Sequence, residues 1–120
     1  MYRLSAYNVF MSEATMREPT FLILTALVSA PQHGYGIMMD VEEISDGRVR
    51  LRAGTLYAAL DRLTTEGLIE ADREEVVDGR LRRYYRITGE GTQRLDEEVA
   101  RLRRNTEVAT VRLRLARGVM

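Results

Sequence analysis

The sequence predicts an α+β, mostly helical fold: three short helices, a two-stranded hairpin and one long terminal helix. Three observations carry that expectation. Apolar residues recur at helical spacing between Pro19 and Gly67, an Asp78-Gly79 dipeptide separates two β-type runs, and a seven-residue apolar repeat runs from Leu95 to the C-terminus.

Composition sets the outer bounds. At 120 residues the chain is one domain long and buries enough surface to fold without metal or disulfide staples. It has no cysteine, which excludes disulfides, thiolate metal sites and a cysteine nucleophile. The longest apolar run, Phe21 to Val28 broken by Thr25, is far too short to span a bilayer, and Met1 to Ser12 lacks the continuous apolar core of a signal peptide. A cytoplasmic protein without membrane contact is expected. The formal net charge is zero, yet all eighteen basic residues are Arg. Residues 79–86 hold four Arg and no acid, whereas residues 40–46 hold Asp40, Glu42, Glu43 and Asp46 and no base. A neutral total therefore conceals a basic segment, and the local field is what attracts a polyanion.

Residues 1–15 show no clear period and read as an N-terminal arm or one short helix. Pro19 suits the first helical position, because its missing N–H would be unpaired there, and Thr20 to Ser29 is apolar nearly all round, as a core helix is. Pro31, His33 and Gly34 break the chain. The next helix, Tyr35 to about Ser45, places Ile37, Val41 and Ile44 on one face and ends at Asp46-Gly47. In the third, from Gly54, Leu56, Leu60 and Leu63 recur on the buried side, Thr55, Ala58, Asp61, Arg62 and Thr65 face outward, and Gly67 is the left-handed stop.

Ile69–Val76 and Leu81–Ile87 read as strands joined across Val77-Asp78-Gly79-Arg80. Thr88 is placed to cap the last helix, with Glu90 in its first turn. That helix should run to about Arg117, roughly 45 Å at 1.5 Å per residue, too long to be covered by the body before it. Its apolar rows, Leu95, Leu102, Ala109 and Ala116 beside Val99, Thr106, Leu113 and Met120, call for a second helix. The organisation expected is an arm at 1–15, a winged-helix DNA-binding domain at 16–88 and a dimerisation helix at 89–120.

Helix, helix, helix, wing, long helix is the order of a winged helix-turn-helix, and the local words match one family. His33-Gly34-Tyr35-Gly36-Ile37, Gly54-Thr55-Leu56-Tyr57 through Leu63, Glu66-Gly67-Leu68-Ile69 and Gly79 through Thr88 with Gly91 resemble the PadR-like transcriptional regulators over about residues 17–115. The single C-terminal helix resembles the short branch of that family. The resemblance implies a homodimeric repressor on a pseudo-palindromic double-stranded DNA operator, released by a small-molecule inducer of hydrophobic or phenolic character. Two departures stand out. Where the family usually has Ser and Pro before Gly-Thr-Leu-Tyr this chain has Arg52 and Ala53, and where it usually has Pro after the Tyr it has Ala58.

The third helix should enter the major groove by its N-terminal turn. Thr55 and Ala58 suit thymine methyl groups or shallow reading, Arg62 a phosphate or a guanine, and Arg52 a phosphate. Tyr35 and Tyr57 stand where the family sets phenol hydroxyls on phosphates. Strand alternation sends Arg80, Arg82, Tyr84 and Arg86 to one face of the wing and Leu81, Arg83, Tyr85 and Ile87 to the other. Arg80 and Arg82 then face the minor groove or its phosphates, and Arg83, also assigned to the DNA contact, covers the core edge with its stem. The dimer interface is assigned to Leu95, Val99, Leu102, Thr106, Ala109 and Leu113. An inducer pocket would use Tyr7, Phe10 and Met11 of the arm with Leu95, Val99 and Leu102. One histidine, no cysteine and no Gly-rich phosphate loop leave no catalytic constellation. No enzyme, cofactor or metal is expected, and His33 reads as a turn residue. A winged helix that binds protein instead of DNA is the alternative, and a wing exposing apolar residues in place of arginines would mark it.

Overall fold

A computed structural model of the chain describes residues 16–118. Its elements are α1 (Glu18–Val28), β1 (Gln32–His33), α2 (Gly34–Ile44), α3 (Ala53–Thr65), β2 (Ile69–Val77), β3 (Arg80–Ile87) and α4 (Gly89–Ala116). The architecture is α+β and winged-helix, with a three-stranded antiparallel sheet in the order β1-β3-β2. The arm at residues 1–15, with Tyr7, Phe10 and Met11, lies outside the described residues, as does Met120.

The core forms where the apolar periods converge. Ile23, Leu24 and Leu27 of α1, Ile37 and Val41 of α2, and Leu56, Leu60 and Leu63 of α3 are fully buried, and Leu68, Ile69 and Tyr85 close the cluster from the base of the hairpin. Pro19 takes the second helical position, not the first, since Glu18 opens the helix. Ile44 departs from its expected place and is exposed. The buried arc of α2 runs through Gly34, Ile37, Val41 and Ser45, which leaves Ile44 at its edge. The polar Ser45 fits inside because its hydroxyl accepts the Val49 amide (3.0 Å), fixing the exit from α2. Asp46 and Gly47 there are left-handed, with φ 56° and 81°.

The hairpin turns across Asp78 and Gly79, both at positive φ (53° and 75°), the pairing that matches strand twist in a two-residue turn. Its ladder runs from Ile69↔Ile87 to Val77↔Arg80, with an irregularity between Ala71 and Glu74. Strand β1, a pair of residues in the predicted chain break, was not expected. It pairs Gln32 with Tyr85 and His33 with Tyr84.

Helix α4 is anchored at its start. The Thr88 hydroxyl donates to the Gly67 carbonyl (2.7 Å) and accepts the Gly91 amide (3.0 Å). Gly91 sits where any Cβ would collide with the Leu68 carbonyl oxygen, so its lack of a side chain is what lets the helix lie on the hairpin base. Gly91, Leu95 and Glu98 are the buried positions of α4. From Leu102 to Gly118 every described residue is exposed.

Candidate nucleic-acid interface

Three elements meet along one edge through a chain of contacts. Tyr57 of α3 lies over Gly34, the first residue of α2, and a Cβ at Gly34 would collide with the Tyr57 hydroxyl. His33, the residue before it, pairs with Tyr84 of the wing and packs edge-on against its ring, centroids 5.2 Å apart. Arg82 reaches the other end of the same imidazole, with Nη1 3.5 Å from Nε2. The helix that would enter a groove is thus joined to the wing through the start of α2.

The residues assigned to this edge from sequence fall into two groups. Tyr35, Arg52, Thr55, Tyr57, Ala58, Arg80 and Arg82 are exposed, and among the described residues none of the three arginines has a carboxylate within salt-bridge distance. Arg52 occupies the N-cap of α3 without a side-chain capping bond, and its extended backbone (φ −84°, ψ 156°) is the geometry a capping serine would use. Arg62 and Arg83 are also exposed but have partners. Arg62 donates to the Thr20 hydroxyl (3.0 Å) and lies 3.7 Å from Glu66, so its head turns back toward α1, into a cleft it shares with Arg17 and Arg94. Arg83 donates to Glu74 (3.2 Å).

Charge on the hairpin is balanced strand against strand. Residues 69–87 hold five arginines (73, 80, 82, 83, 86) and five carboxylates (70, 72, 74, 75, 78). Arg86 is held by Glu70 (2.8 Å) and Asp72 (3.3 Å), Arg73 by Asp72 (3.1 Å) and Glu75 (3.2 Å), and Arg73 also covers the Tyr84 ring at 4.0 Å. The Tyr84 hydroxyl donates to Glu75 at 3.0 Å, and that bond, with Arg73, holds the Glu75 carboxyl below the ordinary carboxylate range. Strand β3 read alone looks strongly basic; β2 carboxylates pair two of its four arginines, Arg83 and Arg86. The unneutralised positive charge sits at Arg80 and Arg82. The hairpin also exposes an apolar cross-strand pair, Val76 (73% exposed) and Leu81 (62%).

On α4, Leu95 is in the core of its own chain, which leaves little of it to meet either a partner helix or a ligand. Val99 is half-buried, while Leu102, Thr106, Ala109 and Leu113 form an open row. Two features of this helix lay outside the seven-residue pattern. Glu98 is buried one turn after Leu95, off both apolar rows, and Arg101 pairs with it. Val108, Val111 and Leu115 make a second exposed apolar stripe on the opposite side of the last turns.

A family model described as transcriptional regulator PadR-like family matches residues 23–97. An uncharacterized protein of Lysinibacillus sphaericus is 35% identical over 78 residues, covering 65% of this chain and 72% of its own. A transcriptional regulator of Mycobacterium tuberculosis is 44% identical over 57 residues, 48% of this chain and 52% of its own. Among solved structures, a PadR family transcription regulator from Clostridium difficile superposes with a TM-score of 0.66 at 26% identity, covering 81% of this chain and 99% of that one. Bacillus subtilis PadR in complex with operator DNA superposes with a TM-score of 0.62 at 25% identity, over 69% of this chain and 48% of that one. No helix among the described residues is long and apolar enough to cross a membrane.

Proposed function

We propose that this chain, which belongs to the PadR-like family of transcriptional regulators, acts as a homodimeric repressor on a pseudo-palindromic operator and lets go when a small hydrophobic or phenolic ligand binds. Family membership makes it a DNA-binding regulator and not an enzyme. The observation that carries the finer reading is α4 beyond residue 101. Leu102, Ala109 and Leu113 lie on one face of a helix that has left its own domain, and such a face is stable in water when a second helix covers it.

Charge along α4 supports an antiparallel pairing. Residues 89–98 hold four carboxylates and one arginine, and residues 101–117 hold six arginines and one carboxylate. Antiparallel helices set each acidic start toward the partner's basic end, whereas parallel ones would align like charges. Two wings and two α3 helices then face one side of a duplex, with half-sites about one helical turn apart. Ligand release rests on the family resemblance, and Val99 and Leu102 are the described pocket candidates left open by the fold.

Footprinting upstream of the chain's own gene, with sedimentation velocity on the free protein, tests this reading. Paired protections and a dimer are expected; a monomer giving a single isolated footprint overturns it. The exposed Val76–Leu81 pair favours the second reading, a wing that docks protein. Failure to retain any duplex at low salt would select it.

A further inference from the structure

We propose that His33 and Arg82 form a two-donor clamp for a single backbone phosphate of the bound duplex, His33 donating through Nε2–H. The proposal rests on the DNA-binding reading and adds to it a residue that the sequence presents only as a turn. The imidazole is held on three sides. Its Nδ1 accepts the Gly36 amide at 3.3 Å, its backbone pairs with Tyr84, and the Tyr84 ring meets it at an interplanar angle of 89°.

That arrangement decides where the proton is. A neutral imidazole has one donor and one acceptor nitrogen. With Nδ1 accepting from Gly36, Nε2 carries the hydrogen. A guanidinium has no acceptor, so Nε2 and Arg82 Nη1, 3.5 Å apart, are two donors side by side and do not bond each other. The opposite tautomer would relieve this contact only by setting Nδ1–H against the Gly36 amide. That amide is fixed in the first turn of α2, whereas Arg82 is an exposed, flexible side chain, so the amide determines the tautomer. At 3.5 Å the Arg82 contact is also longer than a charge-assisted hydrogen bond of about 2.7–2.9 Å.

Among the described residues the neighbouring Glu75 makes neither a hydrogen bond nor an ion pair with His33 or Arg82, and its bonds go elsewhere. One oxygen of Glu75 accepts from Tyr84 (3.0 Å) and the other from Arg73 (3.2 Å). Two adjacent N–H donors, one of them on a guanidinium, favour a shared acceptor that carries negative charge, since an oxyanion adds Coulomb attraction to both hydrogen bonds. On this edge, between Tyr57 and the wing, a duplex supplies such an anion as backbone phosphate. Burial and the positive charge of Arg82 hold the His33 ring below its ordinary pKa, with Glu75 opposing, so the ring donates as a neutral group at neutral pH.

A mutant cycle on a random-sequence DNA duplex, followed by fluorescence anisotropy across a salt series, tests the clamp. His33→Asn keeps an N-cap, since Asn caps well, and removes Nε2–H. It is expected to weaken binding about tenfold with the salt slope unchanged, because no charge is lost. Arg82→Gln should flatten the log-log slope by about 0.9 per arginine. The double variant should lose less than the product of the two single losses, since both donors serve one oxyanion. Wild-type affinity in His33→Asn, or strictly multiplicative losses, overturns the clamp. Absence of wild-type binding to any duplex overturns the DNA reading beneath it instead. Nitrogen-15 NMR of the sole histidine gives a readout independent of mutation: the Nε2–H tautomer is expected, its signal moving on addition of duplex, and an Nδ1–H tautomer sinks the proposal.

Discussion

Replacing Arg52 by Ser should move stability and DNA affinity in opposite directions. Arg52 is the N-cap of α3, extended at φ −84° and ψ 156°, with its carbonyl accepting the first helical bond from the Leu56 amide (2.9 Å) and its side chain accepting nothing. An arginine has no acceptor to offer the Gly54 or Thr55 amide, whereas a serine hydroxyl in the same backbone geometry has one. A capping hydroxyl contributes about 0.5–2 kcal/mol, typically about 1. For a body of this size that raises the melting temperature by roughly 4–8 °C per kcal/mol, measured at one protein concentration because a dimer's transition depends on it. The same change removes a positive charge from the N-terminal tip of α3, the helix proposed to enter the groove. Each phosphate contact contributes about 0.9 to the salt slope, so a dimer of the variant should lose about 1.8. Calorimetry and anisotropy against salt read the two effects separately. An unchanged melting temperature would refute the cap argument, and unchanged affinity and slope at low salt would remove Arg52 from the contact.

Leu113→Glu places a charge on the open row of α4 at a residue already 52% exposed, so it should leave the circular dichroism spectrum intact and convert the dimer to monomer in sedimentation. DNA affinity should fall roughly hundredfold or more as the second half-site becomes a separate binding event; a dimer that persists contradicts the interface. Gly91→Ala would gain about 1 kcal/mol from helix propensity alone, but its Cβ meets the Leu68 carbonyl and Ile87 Cγ1 (2.8 Å). A net loss of roughly 1–3 kcal/mol in denaturant melts is therefore expected, and a more stable variant refutes the close approach. His33, lowered by burial and by Arg82, takes its proton more readily in the unfolded chain. Its contribution to stability is full above the unfolded value near 6.5 and is lost as pH falls through the folded value. The difference in melting temperature between wild type and His33→Asn should shift over that window, and a flat difference shows that the ring is unperturbed.

The elements with strong local signals were legible in the chain. Leu56, Leu60 and Leu63 recur at helical spacing and are fully buried, and Asp78-Gly79 turns the hairpin at positive φ. What escaped depends on contacts between segments distant in sequence. Strand β1 is two residues long and exists because β3 offers an edge to Gln32 and His33, so no periodicity can announce it. Ile44 has the right spacing from Ile37, but Ser45 takes the inward position by giving its hydroxyl to the loop. Buried Glu98 breaks a hydrophobicity pattern because Arg101, one turn on, supplies the counter-charge. His33 had no readable role alone, since its surroundings come from residues 36, 75, 82 and 84.

The balance of charge on the hairpin bears on how such a protein would discriminate sequences. If all the β3 arginines were free, the wing would grip any duplex strongly and the sequence-reading helix would add little contrast to a large nonspecific term. The β2 carboxylates hold Arg83 and Arg86 in cross-strand pairs, and among the described residues Arg80 and Arg82 have no such partner. Those pairs are exposed and add little to stability. On the proposed DNA reading, their larger effect is to lower the nonspecific cationic field of the wing. Glu74→Gln, which frees Arg83 without touching the groove-facing helix, should therefore raise affinity for random duplex and steepen its salt slope by up to about 0.9 per subunit. The ratio of operator to random binding should fall. Should the variant bind random DNA no more tightly than wild type, the carboxylate row has no part in setting that contrast.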